Sequence, residues 1–229
     1  MNEIFNGDVL VIAPHCDDAE LGCAGTVARI VRAGAVVTVA VATVSDQEFL
    51  HRGEVRARER VDELERACAR LGVGRTTILA RGYEARLHQY DAGTFVAQLD
   101  RLMDEVRPSV VFLPLPSSHQ DHRTTHDLAV AACRPSPQKN YLRAVLGYEY
   151  PSTFWGPGAG YAQHGGLYVD ISSTFSQKVA ALQEYRTQMR DSGLISLAAV
   201  EALAALRGVE CGVKYAELFR VLRITIAEE

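Results

Sequence analysis

The chain has 229 residues and a formal net charge of −4 at pH 7, so it is long enough to bury a substantial core and offers no electrostatic attraction to nucleic acid or an anionic membrane. Its 48% hydrophobic and 23% charged content is that of a globular protein rather than a disordered one. No apolar run approaches membrane-spanning length.

The first predicted element is a strand from Asp8 to Ala13, built on the apolar run Val9-Leu10-Val11-Ile12. Helical periodicity follows from Gly22 to Ala33 and stops at Gly34. Ala35 to Thr43 is apolar and β-branched, as a strand buried on both faces requires. A polar connection, Val44 to Gly53, leads to a charged amphipathic helix from Glu54 to Leu71, closed by Gly72 and Gly74. Then come a short strand from Thr76 to Leu79, a loop from Arg81 to Ala92, and a helix from Gly93 to Val106 that ends before Pro108. A strand from Ser109 to Leu113, a loop from Pro114 to His122 and a helix from Arg123 to Cys133 complete this half.

The second half is less regular. Ala144 to Tyr148, Leu167 to Asp170 and Leu218 to Ile226 read as strands. Thr174 to Arg190 and Leu197 to Leu206 read as helices, and Pro151 to Gly166 is a long Gly- and Pro-rich loop. The alternation predicts an α/β fold: a single doubly wound, Rossmann-like, mostly parallel sheet with helices on both faces, in one domain over residues 1–229. A strand order of 3-2-1-4 puts the first strand beside the one ending at Leu113.

The N-terminus carries no basic segment followed by an apolar stretch, so a cytoplasmic location is expected. The five cysteines are odd in number and form no C-x-x-C pair, which argues against a disulfide framework and a thiolate zinc knuckle. Cys16 reads as a small buried side chain at a strand end.

Chemistry concentrates after two strands. His15-Cys16-Asp17-Asp18 follows the first strand, and His119-Gln120-Asp121-His122 follows the strand ending at Leu113. In an open α/β sheet, ligands bind beyond the carboxyl ends of the strands near the switch in strand order. Both motifs therefore face one crevice. Three protein ligands and an open position describe a catalytic metal site, and His15, Asp18 and His122 supply a His-Asp-His set. Asp17 adjoins Asp18, so only one of the pair need bind the metal, and the other can take a proton from metal-bound water as general base. His119 is placed to stabilise an oxyanion or, protonated, to deliver a proton to a leaving amine. Asp121 is placed to accept a hydrogen bond from His119 and fix its tautomer.

These residues resemble the PIG-L/LmbE-like zinc-dependent N-deacetylases. Ala13 to Thr26 is similar to that family's first signature if Pro14 is an insertion before His15, and His119 to His122 is similar to its H-x-D-H motif. Further similarity lies in Arg52-Gly53-Glu54 with Arg56 and Arg60, in Val169 to Ser172, in Lys178 to Tyr185, and in Lys214 to Glu217. The resemblance implies that His15, Asp18 and His122 bind zinc, with Fe2+ as an alternative. It implies Asp17 as base, His119 with Asp121 as supporting pair, and Arg52 as a substrate contact. It further implies a small-molecule substrate, an acylated amino sugar of N-acetylglucosamine type or its conjugate, and assembly into a homo-oligomer. Cys16 and Ala24 depart from the family's Pro and Gly. Ser117-Ser118 stands where many members carry an acidic residue.

Other readings stand beside this one. An amidase acting on a larger acyl group, for example in a thiol-sugar conjugate, shares the same motifs. A non-catalytic metal- or nucleotide-binding module is the rival from another class. For the latter, Gly22-x-x-Gly25 is a weak phosphate loop without the full G-x-G-x-x-G spacing. His126 extends His119 and His122 to an alternative metal set, though packing within its helix is the simpler role. His51, His88 and His164 fall in predicted loops. Trp155 is either a sugar-stacking ring or a loop anchor.

Overall fold

The computed structural model describes residues 3–49, 52–154 and 166–226. In chain order, the first half holds β1 (Val9–Ala13), α1 (Asp18–Arg32), β2 (Val37–Val44), β3 (Gln47–Phe49), β4 (Gly53–Val55), α2 (Ala57–Leu71), β5 (Arg75–Arg81), α3 (Ala92–Val106), β6 (Val110–Pro114) and α4 (Gln120–Ala132). The second half holds β7 (Ala144–Tyr148), β8 (Leu167–Asp170), α5 (Phe175–Leu182), α6 (Leu197–Cys211) and β9 (Ala216–Ile224).

Every residue of β1, β2, β6 and β7 is buried, as their predominantly apolar runs require of strands covered on both faces. They belong to a seven-stranded sheet of order β5-β2-β1-β6-β7-β9-β8. The pairs from β5 to β7 are parallel, and β9 lies antiparallel between β7 and β8. The expected 3-2-1-4 order is present as β5-β2-β1-β6. Side chains alternate across the sheet. Val9, Val11 and Ala13 join the core under α1, α2, α5 and α6, while Leu10 and Ile12 join the core under α3 and α4.

Several boundaries differ from the sequence reading. Helix α1 begins at Asp18, four residues before the first periodic position, so the acidic motif forms the helix start itself. The expected polar connection contains the β3–β4 hairpin. Helix α5 ends at Leu182, where the periodicity predicted continuation to Arg190. The residues beyond it form turns that carry Tyr185, Thr187 and Gln188 to polar partners. His51, Trp155 and His164, and most of the Pro151–Gly166 loop, lie outside the described residues.

Helix α1 is pinned in two ways. A Cβ on Gly22 would fall 2.1 Å from the Tyr148 ring, and one on Gly25 would fall 2.8 Å from Ile171. The Gly-x-x-Gly spacing thus permits close packing of helix on sheet rather than phosphate binding. On the same helix, Glu217 of β9 accepts the Gly25 and Thr26 amide hydrogens at 3.0 and 2.8 Å. Lys178 of α5 pairs with Glu217 at 2.6 Å and donates to the Leu21 carbonyl at 2.9 Å. Gly25 N–H and Leu21 C=O are an i, i−4 pair of the helix ladder, so the ion pair is threaded onto the helix backbone.

Both charged side chains are about 4% exposed. Removing one partner of such a buried pair strands the other charge and costs about 3–5 kcal/mol. Lys178→Met is therefore expected to lower the unfolding free energy by that amount in urea titrations. Wild-type stability would show that the pair does not anchor α1.

Candidate metal centre

The tip of β1 is tied to its neighbour by Thr43 N–H donating to the Pro14 carbonyl at 3.1 Å. The chain then turns through His15 and Cys16 into α1. Asp18 Oδ2 accepts the His15 backbone N–H at 3.0 Å, closing this turn. On the neighbouring strand, Leu115 N–H donates to Tyr148 O at 2.9 Å, and the loop beyond leads to His119 as N-cap of α4.

Three donor atoms meet between these ends. His15 Nδ1 lies 3.2 Å from Asp18 Oδ2, and His122 Nε2 lies 3.3 Å from Asp18 Oδ2 and 3.3 Å from His15 Nδ1. A tetrahedral ion with bonds of about 2.0–2.1 Å has ligand–ligand edges of about 3.3 Å. This nearly equilateral triangle thus fits one face of such a coordination sphere. All three residues are buried. The His119 ring also comes close, offering a nitrogen within 4.8 Å of those of His15 and His122. His119 Nδ1, however, accepts the Asp121 N–H at 3.2 Å, so a neutral His119 carries its hydrogen on Nε2. That makes it a donor rather than a fourth ligand.

The structure corrects the expected role of the Asp121 carboxylate. It does not bond His119; it accepts from His15 Nε2 at 3.0 Å and from the Ala85 and Leu87 backbone amides at 2.6 and 3.0 Å. The carboxylate therefore fixes the His15 tautomer, with Nε2 protonated and Nδ1 free for a metal. The doubly protonated His119 of the sequence reading would have to give up its bond to the Asp121 amide. Burial and the nearby His15 and His122 push the His119 pKa down to about 4.

The remaining electrostatics follow from burial and neighbours. Burial disfavours charge on His15, but Asp121 and Asp18 outweigh it and raise its pKa to about 10 without metal, so an ion binding at Nδ1 must displace a proton there while Asp121 keeps the one on Nε2. Burial opposes ionisation of Asp18, yet His122 and His15 hold it well below the usual carboxylate range. Asp17 is pushed up to about 6 by burial and by the adjacent Asp18, against the pull of Arg60 and His15. Burial pushes the Cys16 thiol up, leaving it an inert core side chain.

The donors open onto a cavity of about 470 Å³ whose walls include Asp17, His119, Ser117, Tyr150 and Gln188. That volume lies within the range of small-ligand sites. The structure brings Arg60, not Arg52, into this wall. Arg60 is 1% exposed and ion-paired with Glu84, whereas Arg52 sits exposed beside Gly53 at the start of β4. His126 turns away from the donors, with its Nδ1 2.8 Å from the Pro114 carbonyl, and His88 is exposed. Sequence reasoning passed over Tyr150, whose hydroxyl meets His122 Nδ1. Its one signal is its place just past the carboxyl end of a strand adjoining the second motif.

Fold and donors together define an α/β protein with a candidate hydrolytic metal site at the switch point of its sheet. The family model for GlcNAc-PI de-N-acetylase, PIG-L, matches residues 10–133, which include both motifs, and the chain belongs to that family. The diacetylchitobiose deacetylase of Thermococcus kodakarensis is 27% identical over 233 aligned positions, covering 96% of this chain and 85% of that one. Among solved structures, the N,N'-diacetylchitobiose deacetylase of Pyrococcus horikoshii superposes with a TM-score of 0.77 at 24% identity, covering 94% of this chain and 84% of that one. The 4-carboxy-2-hydroxymuconate hydratase GalB of Pseudomonas putida superposes with a TM-score of 0.75 at 18% identity, covering 97% and 99%. These two superpositions establish the shared fold, and the hydratase shows that this fold hosts more than one chemistry. Family membership bears out the resemblance and favours a deacetylase over the nucleotide-binding module.

Asp121→Asn removes one of the two acceptor oxygens and introduces a donor among three N–H groups. Its metal affinity is expected to fall about 10- to 100-fold, as for other partners of ligating histidines. Titration with a competing chelator measures this, and an unchanged affinity would separate Asp121 from the metal position.

Proposed function

We propose that the protein is a metal-dependent hydrolase that removes the N-acetyl group from an N-acetylated amino sugar or its conjugate, of N-acetylglucosamine type, releasing acetate and a free amine. The observation that carries this reading is the His15, Asp18, His122 triangle at the floor of a cleft that Asp17 and His119 also line. His15, Asp18 and His122 would hold the ion, zinc or another divalent metal such as Fe2+, since such a donor set is not highly selective. The chemistry that such an ion supplies when bound is Lewis acidity toward the amide carbonyl and the attacking water.

The chain's own residues do the rest. Asp17 takes the proton of the attacking water as general base. His119 donates its Nε2 hydrogen to the carbonyl oxygen as negative charge develops there. Asp17 then passes its proton to the amide nitrogen, the C–N bond breaks, and acetate and amine leave. Asp121 serves indirectly, by holding His15 through its side chain and His119 through its backbone N–H. Arg52 contributes to substrate contact only if the sugar extends beyond the cleft wall toward the β3–β4 hairpin.

The family match and the deacetylase relatives support the acetyl group over a larger acyl chain. Five unpaired cysteines support a reducing, cytoplasmic setting. Among the described residues no helix is long and apolar enough to cross a membrane. Assembly into a homo-oligomer is carried by the family resemblance.

A screen of N-acetylated sugars, nucleotide sugars and sugar conjugates for release of free amine tests the reaction; no release from any of them would overturn it. His122→Ala is expected to lose metal and activity together. Asp17→Asn is expected to keep its metal and lose at least about 100-fold in turnover. Metal analysis beside steady-state rates separates the two roles, and the reverse pattern would exchange them.

A further inference from the structure

The His122 ring is held from behind by hydroxyl groups rather than by a carboxylate. Its Nδ1 meets the Tyr150 hydroxyl and lies 3.0 Å from Ser117 Oγ. Tyr150 is fully buried, and its ring stands edge-on to His122 at 85°, with centroids 5.0 Å apart. The Tyr150 hydroxyl also donates to the Leu115 carbonyl at 2.9 Å.

Counting hydrogens decides the direction of this chain. A backbone carbonyl only accepts, and a phenol has one hydrogen. Tyr150 spends that hydrogen on Leu115 O, so toward His122 it acts only as an acceptor. His122 Nδ1 must then donate. A neutral imidazole has one N–H, which leaves Nε2 bare, and Nε2 is the atom that faces Asp18 Oδ2 and His15 Nδ1. Ser117 Oγ accepts the His119 N–H at 3.2 Å and keeps a second lone pair for the His122 Nδ1–H, its own hydrogen being free to turn toward the Tyr150 oxygen. Tyr150 is itself fixed by its backbone N–H on Thr153 Oγ1 at 3.1 Å and by the pairing of β6 with β7.

We infer that Tyr150 is a positioning residue that selects the Nδ1–H tautomer of His122 and so presents Nε2 to the metal position. The inference rests on the metal reading of the preceding subsection. It adds an asymmetry: the two ligating histidines are oriented by different chemistry, His15 by the charged Asp121 and His122 by a neutral phenol anchored to a backbone carbonyl.

The test needs no activity. In metal-free wild-type protein at alkaline pH, 15N NMR of the His122 ring is expected to show hydrogen on Nδ1; hydrogen on Nε2 overturns the inference. In zinc titrations against a competing chelator, Tyr150→Phe is expected to bind about 10- to 100-fold more weakly than wild type, and its His122 ring to show a mixture of tautomers. Ser117→Ala is expected to keep the Nδ1–H tautomer, because Tyr150 remains. Phe leaves the Leu115 carbonyl unpaired and lowers stability, but that loss alone moves neither tautomer nor affinity. Wild-type affinity in Tyr150→Phe overturns the role of Tyr150. Wild-type protein that binds neither zinc nor Fe2+ overturns the metal reading itself, an outcome read separately from the tautomer.

Discussion

The Asp121 carboxylate is the interaction on which the site depends. It is 0% exposed and would be costly to bury without partners. It accepts from His15 Nε2 and from the Ala85 and Leu87 amides, so it ties the tip of β1 to the loop beyond β5 through the first turn of α4. This bond holds the His15 ring from behind, with Nδ1 turned toward Asp18 and His122. The geometry of the triangle and the closure of the β5 loop are two consequences of the same buried charge.

A second buried charge performs the matching task on the scaffold. The Glu217 and Lys178 pair is attached to the α1 backbone at Leu21, Gly25 and Thr26, one turn beyond the start that carries Asp18. Gly22 and Gly25 allow the helix to lie against Tyr148 and Ile171. Tyr148 also donates to the Ile12 carbonyl at 3.0 Å, and two residues on Tyr150 reaches His122. Helix, central strands and site are thus held by one continuous set of short polar and close-packed contacts. A site that must hold three donors a little over 3 Å apart needs such support, because unpaired donors gain nothing from that proximity.

The fold alone does not dictate this chemistry, as the hydratase of closely similar architecture demonstrates. What differs between members of one fold is the set of side chains placed at the strand ends. In this chain that set is two imidazoles and a carboxylate facing one point, with a further carboxylate and an N–H donor on the same cleft wall.

The sequence by itself determined the four leading strands and, on the 3-2-1-4 order expected of a doubly wound sheet, the crevice and the residues gathered there; the β7-β9-β8 order with antiparallel β9 was left to the tertiary structure. Predominantly apolar runs report strands buried on both faces, and two His- and Asp-bearing strand ends become neighbours once the order is 3-2-1-4. Periodicity is a property of an element's own burial, so it is legible without neighbours. The pairings were not legible. Whether the Asp121 carboxylate bonds His119, two residues away in the chain, or His15, 106 positions away, depends on how two loops meet in space. The same holds for Arg60 entering the cleft wall in place of Arg52, which follows from the rotation of α2 and its ion pair with Glu84. The start of α1 at Asp18 was hidden because its first turn carries Asp18 and Glu20, so no apolar rhythm announces it. Only the tertiary structure decided which nitrogen of His15 and of His122 is free, since that is set by the partner behind the ring, Asp121 or Tyr150, far from it in the chain.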